Sequence, residues 1–80
     1  MITPAQLEQL TTDILQAKTS TQAASLFVRR INVCELSEEQ AMHGIETIAQ
    51  AIIRADGGQP YRSQQFQQLA EIRCYHAWGL

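Results

Sequence analysis

The strongest structural signal in this sequence is the stretch LSEEQAMHGIETIAQAIIRADGG, residues 36–58. Ser37 is placed to cap a helix, and Gln40, three residues later, completes a capping box. The two glutamates between them put negative charge at the positive end of the helix dipole. Apolar residues then recur at helical spacing on one side, and Gly57-Gly58 supplies the left-handed conformation that ends many helices. The stretch therefore predicts one long amphipathic helix packed on a core.

Two further helices are predicted before this stretch. Thr3 is an N-cap with Pro4 at the first helical position and Gln6 closing a capping box, and Ile2 stands where it could form a hydrophobic staple. This first helix is expected to end near Lys18. The hydroxyl cluster at residues 19–21 then caps a second helix, since such side chains favour caps over helix interiors. Its predicted core face consists of Ala23, Ala24, Phe27, Val28 and Ile31.

Residues 32–35 form a short connector to the long helix, and a fourth helix follows the loop at residues 59–63. Its start is open between a residue near Pro60 and Ser63. If this helix is continuous toward Trp78, one side carries Phe66, Leu69, Ala70, Arg73 and Ala77. The opposite side then carries Gln68, Glu71, Tyr75 and Trp78.

These segments add up to an all-α fold, a compact bundle of about four short helices in a single domain over residues 1–80. No segment alternates polar and apolar residues as a half-buried strand does. With 45% hydrophobic and 18% charged residues, the chain has the apolar content that disordered segments lack. At 80 residues, however, a lone core gives modest stability, so self-association is a plausible aid.

Charge and cysteine content restrict the partners and the compartment. The net charge is −2, and the six basic residues are scattered, so nucleic acid is a disfavoured partner. Cys34 and Cys74 have no metal-site or redox-motif spacing and are expected to be free thiols. The N-terminus lacks a signal-peptide pattern and no apolar run could cross a bilayer. We therefore expect a cytoplasmic protein with no membrane contact.

No group of residues predicts catalysis, a cofactor or a metal. Glu39, His43 and Glu46 share one face of the long helix and could in principle hold a divalent ion, but a solvated polar face is the more frequent meaning of such a stripe. Cys74 and His76 would point to different sides of a helix and cannot activate each other without a bend. The sequence therefore favours a non-enzymatic protein with no cofactor.

The candidate interaction site lies in the last helix. Tyr75 and Trp78 point away from the Phe66 side of a continuous helix, and with Arg73 or Arg62 they are of the residue types enriched at interface hot spots. The alternative is a helix that bends or ends near Cys74, which would let Trp78 fold back as ordinary core.

These observations favour a small helical adaptor, inhibitor or regulator that binds another protein, with a homodimer as one form of that contact. A DNA-binding or transcription-associated factor is the first alternative, with the second and third helices as a helix-turn-helix. Its reading helix would present Glu38 and Glu39 to the phosphates, which repel them. An accessory subunit of an enzyme whose chemistry lies on another chain is the second alternative.

Overall fold

A computed structural model describes residues 3–79. Over that range the chain forms four α-helices, α1 (Pro4–Leu15), α2 (Ser20–Arg30), α3 (Glu38–Ala55) and α4 (Tyr61–Ala77). A single 3₁₀ turn, Val33–Glu35, connects α2 to α3. No strand occurs among these described residues, which confirms the predicted all-α bundle.

The helix starts follow the predicted caps. The Thr3 hydroxyl accepts the Gln6 N–H at 3.1 Å, and the Gln6 side chain accepts the Thr3 N–H at 3.0 Å. Ser37 and Gln40 make the same reciprocal pair at the start of α3, both at 3.1 Å. These contacts satisfy backbone donors that have no partner inside the helix. The partner proposed for the hydrophobic staple, Ile2, lies outside the described residues.

One helix boundary differs from the sequence prediction, and a second boundary is now fixed where the sequence left two possibilities. Helix α1 ends at Leu15 and not near Lys18, whose N–H donates at 3.0 Å to the side chain of Gln22 in the first turn of α2. Helix α4 begins at Tyr61, directly after Pro60, and runs without a break to Ala77. At the end of α3, Gly57 adopts φ 68°, and the Gly58 N–H donates to the Ile53 carbonyl at 2.9 Å.

The four helices form two hairpins that pack side by side. In the second hairpin α4 runs antiparallel to α3, since Tyr75 meets Glu38 at one end and Ser63 meets Ala49 nearer the other. Helix α2 lies parallel to α4, since Ser20 meets Gln65 near the start of both and Val33, just after α2, meets Trp78 at the end of α4. Helix α1 completes the bundle against α2 and α3. The core draws on all four helices and on the 3₁₀ turn, and Phe27 and Phe66 meet edge to face at its centre, with ring centroids 6.2 Å apart.

The predicted core face of α2 is buried except at Val28, which is partly buried, and the apolar side of α3 lies in the core. The predicted face of α4 is only partly buried. Phe66 and Ala70 are buried as expected, but Ala77 is exposed at the helix end. The sequence reasoning missed Ser63 and Cys74, which are both buried. Ser63 is accommodated because its hydroxyl donates to the Ala49 carbonyl at 2.8 Å, so its polar atom does not lack a partner.

Candidate protein interface

The side of α4 that faces away from the bundle carries a partly aromatic surface with little charge, bordered by the partly buried Glu71. We call it the α4 outer face and define it by Tyr61, Gln64, Gln65, Gln68, Ile72 and Tyr75. Tyr61 is 71% exposed and Ile72 is 53% exposed, which makes them the large hydrophobic residues most open to solvent in the described part of the chain. Interface cores are depleted of charge and enriched in tyrosine, so this surface has an interface-like composition.

Hydrogen bonds hold the tyrosine at the N-terminal end of this face. The Gln65 amide donates to the Tyr61 hydroxyl at 3.1 Å. The same glutamine accepts the Ser20 hydroxyl at 3.2 Å, which ties it to the start of α2. Tyr61 therefore has a defined partner although most of its surface is exposed.

Tyr75 is held at the opposite end by two contacts. Its hydroxyl donates to the Glu38 carboxylate at 3.3 Å, and its ring meets the Trp78 ring edge-on with centroids 5.7 Å apart. The nearby Glu38 charge is the main cause that raises the pKa of the Tyr75 phenol, so this side chain stays neutral and able to donate at neutral pH.

Trp78 packs partly buried against the core, as one of the two interpretations of the sequence expected, although α4 continues past Cys74 to Ala77. Its Nε1–H donates to the Val33 carbonyl at 2.7 Å, which joins the end of α4 to the 3₁₀ turn. Trp78 therefore packs against the Tyr75 ring and links the end of α4 to the 3₁₀ turn.

The two arginines of the predicted patch lie on the flank that turns toward the bundle. Arg62 stands at the other end of α4 from the aromatic pair and binds Asp56 through Nε and an NH2 nitrogen at 3.0 and 2.8 Å. Arg73 is partly buried, and within the described residues its Nε has no hydrogen-bond partner. The structure thus brings Tyr75 and Trp78 together and leaves Arg62 engaged elsewhere.

The sequence reasoning placed Gln68 on the same side as Tyr75 but missed Tyr61 and Ile72 as members of this surface. The signal was present in their spacing, because residues 61, 65, 68, 72 and 75 are separated by four and three residues in turn. That alternation keeps side chains on one helix face. Only Ile72 among the five is strongly apolar, so a search for apolar periodicity passes over the row.

The exposed face of α3 provides a contrast, because it is charged in the usual way. Glu38, Glu39, Glu46 and Arg54 are all exposed there. Glu39, His43 and Glu46 line a shallow open depression with Gln40 and Met42. Between residues 3 and 79, no three histidine, cysteine, aspartate or glutamate side chains come together as a metal site would require.

A second surface feature is a cleft of about 430 Å³ between α1 and the corner that joins α2 to the 3₁₀ turn. Leu10, Ile31 and Leu36 form its apolar floor. Arg30 on its rim is already paired with Asp13 at 2.8 Å, so the cleft presents no free cation from that residue. Nothing in its lining indicates a specific ligand.

Comparison with known proteins finds no matching family model, no similar curated protein and no similar solved structure. None of the helices described here combines the length and apolar character that a membrane crossing requires.

Proposed function

We propose that this protein is a small non-enzymatic adaptor, inhibitor or regulator that acts by docking on a protein through the α4 outer face. The observation that carries the proposal is the contrast between the two outward helix faces of the second hairpin. Helix α3 exposes Glu38, Glu39, Glu46 and Arg54, whereas the α4 outer face exposes a tyrosine, an isoleucine and three glutamines and carries the partly buried Tyr75 beside them. Exposed surfaces of such composition are typical of interaction sites.

The proposal is also supported by the fixed positions of the two tyrosines. A side chain that is ordered before binding loses less conformational freedom when the partner arrives. Tyr61 is held by Gln65, and Tyr75 is held by Glu38 and Trp78. Tyrosine is among the residues that contribute most at interface hot spots. A cytoplasmic location belongs to the same proposal and is supported by the exposed free thiol of Cys34, which a reducing compartment preserves.

Site-specific photocrosslinking in cells tests this function. A photoreactive phenylalanine analogue replaces Ile72 in one variant and Gln50, exposed on α3, in the matched control. We expect discrete protein adducts from position 72 and none of the same size from position 50. A further variant carries the analogue at position 68. Adding Ile72→Lys to it should reduce the adducts from position 68 at least tenfold, because the lysine would lose its water in the contact. Equal adducts from positions 50 and 72, or none from 72, would contradict the proposal.

A further inference from the structure

We infer that the bond between Asp56 and Gly57 is a site of spontaneous isomerisation and that Arg62 protects this site in the folded chain. The site lies in the turn that joins α3 to α4. Its chemistry requires only water, so it does not depend on what binds the α4 outer face.

An aspartate followed by glycine can close a five-membered ring with its own backbone. The Gly57 nitrogen attacks the side-chain carboxyl carbon of Asp56, and a carbon–nitrogen bond forms. The proton of that nitrogen and the carboxyl OH group leave together as water. A second water then opens the cyclic imide. Opening at the side-chain carbonyl restores aspartate, whereas opening at the main-chain carbonyl gives isoaspartate, in which the chain continues through the side-chain carbon.

The residue that follows Asp56 makes this dipeptide the reactive one. Glycine has no side chain to hinder the attack, and its backbone is permissive. Asp13 and Asn32, the other residues of this sequence that could close such a ring, are followed by Ile14 and Val33. Those β-branched residues are stiff, and both are buried. Gly57, in contrast, is exposed, and a Cβ atom added to it would meet no atom within 4 Å.

Arg62 holds the carboxylate that would have to react. The Asp56 oxygens accept hydrogen bonds from Arg62 Nε at 3.0 Å and from an NH2 nitrogen at 2.8 Å. The remaining guanidinium nitrogen donates to the Leu15 carbonyl at 3.5 Å, so the arginine is also attached to the end of α1. A bidentate pair of this kind fixes the orientation of the carboxylate. The carboxyl carbon therefore cannot turn toward Gly57 unless the pair breaks.

The backbone of Asp56 adds a second restraint. Its ψ of 16° makes the Gly57 nitrogen nearly eclipse the Asp56 nitrogen, whereas ring closure requires it to eclipse Cβ. The Asp56 N–H donates to the Ile52 and Ile53 carbonyls at 3.0 and 3.2 Å, which keeps this conformation at the end of α3. The reaction therefore requires a local opening of the turn.

Isoaspartate at residue 56 would prevent the turn from closing again. Its backbone is one carbon longer, which displaces the Gly58 N–H from the Ile53 carbonyl that it contacts at 2.9 Å. Its carboxylate is attached directly to Cα and no longer reaches Arg62 in the same geometry. The turn would lose both contacts, so we expect the modified protein to unfold at a lower urea concentration than the parent.

Incubation in neutral buffer tests the site. Peptide mapping by mass spectrometry and methylation by an isoaspartate methyltransferase measure the product at residue 56. The urea-unfolded chain should form isoaspartate there and far less at Asp13, and the folded parent should react at least about tenfold more slowly. Asp56→Glu keeps a carboxylate but would have to close a larger ring, so it should form no such product. An unfolded chain without isoaspartate at residue 56 would overturn the site.

Variants of Arg62 test the protection. Folded Arg62→Gln should react at least about threefold faster than the parent. Arg62→Lys, which cannot hold both oxygens in a fork, should also react faster and replaces Arg62→Gln if circular dichroism shows that variant to be unfolded. Arg54→Gln, at an exposed position of α3, should react at the parental rate.

Leu10→Ala separates local opening from general loss of stability, because Leu10 is a buried residue of α1 far along the chain from the turn. This variant should react more slowly than Arg62→Gln. A folded Arg62 variant with the parental rate, or a Leu10→Ala protein that reacts as fast as Arg62→Gln, would overturn the protective role of Arg62. A folded parent that reacts as fast as the unfolded chain would overturn it as well.

Discussion

The thiol of Cys74 lies fully buried against the core at the C-terminal part of α4. Burial, with a smaller contribution from the Glu71 carboxylate, raises its pKa from 9.0 to about 11. The folded protein therefore holds this proton at a pH where the unfolded chain releases it. The contribution of the protonated Cys74 thiol to the free energy of unfolding is complete below pH 9 and is lost as the pH rises toward 11.

This linkage predicts that the free energy of unfolding falls by about 2 kcal/mol between pH 9 and 11 because of Cys74 alone. Urea titrations at a series of pH values measure it. Cys74→Ala should have a shallower decline than the parent, although its stability at pH 7 is lower because of the cavity. Cys34→Ala, at an exposed position, should keep the parental decline. A Cys74→Ala protein with the parental decline would contradict the assignment.

The residues that sequence reasoning misplaced are those whose role depends on a contact from another helix. Ser63 has a polar side chain and gives no apolar signal, yet the Ala49 carbonyl of α3 satisfies it. Trp78 could be placed as core or as interface from the sequence, and the deciding contact is with Val33, far away along the chain. Local patterns cannot determine a partner of that kind.

Helix α3 is the element whose sequence pattern is most complete, since cap, capping box, dipole charges and glycine end all agree. Ser37 satisfies the Gln40 N–H at its start. Ser37→Ala should therefore lower the free energy of unfolding by about 1 kcal/mol without changing the helical circular dichroism spectrum.

Thr12→Ala provides the comparison, because the Thr12 hydroxyl sits within α1 and donates back to the Glu8 carbonyl at 3.1 Å. Such back-bonding does not satisfy a free helix end, and alanine has the higher helix propensity. This variant should be neutral or slightly more stable in the same urea titration. A loss equal to that of Ser37→Ala would show that removing any hydroxyl, and not the cap, caused the effect.

The sequence predicts some helices better than others, because it contains the local contacts of a helix but not its contacts with other helices. The starts of α1, α2 and α3 depend on side chains within three residues of the cap, so the sequence determines them. Helix α4 has no side-chain cap, and its apolar residues lie on more than one side. The sequence leaves its start open between Pro60 and Ser63, and the spacing of residues 61–75 becomes meaningful only when the bundle shows which side of α4 is inward.

Over the whole molecule, the core receives residues from every helix and leaves none of them packed independently. Leu10 and Ile14 anchor α1, and the Trp78 indole ties the end of α4 to the 3₁₀ turn. A chain of 80 residues with one shared core is expected to unfold in a single cooperative step. The two free cysteines add no crosslink to this arrangement.

We therefore predict coincident urea transitions by circular dichroism, which reports all helices, and by the fluorescence of the single tryptophan, which reports the α4 end of the bundle. The slope should be near the low end for proteins, about 1 kcal/mol per molar urea, because little surface is exposed on unfolding. Reductant should leave both curves in place. Leu10→Ala should shift both together by about 2–5 kcal/mol, since α1 shares the core that Trp78 reports. A shift seen by circular dichroism alone would mean that α1 unfolds as a separate unit, and the bundle would then be three helices with an attached fourth.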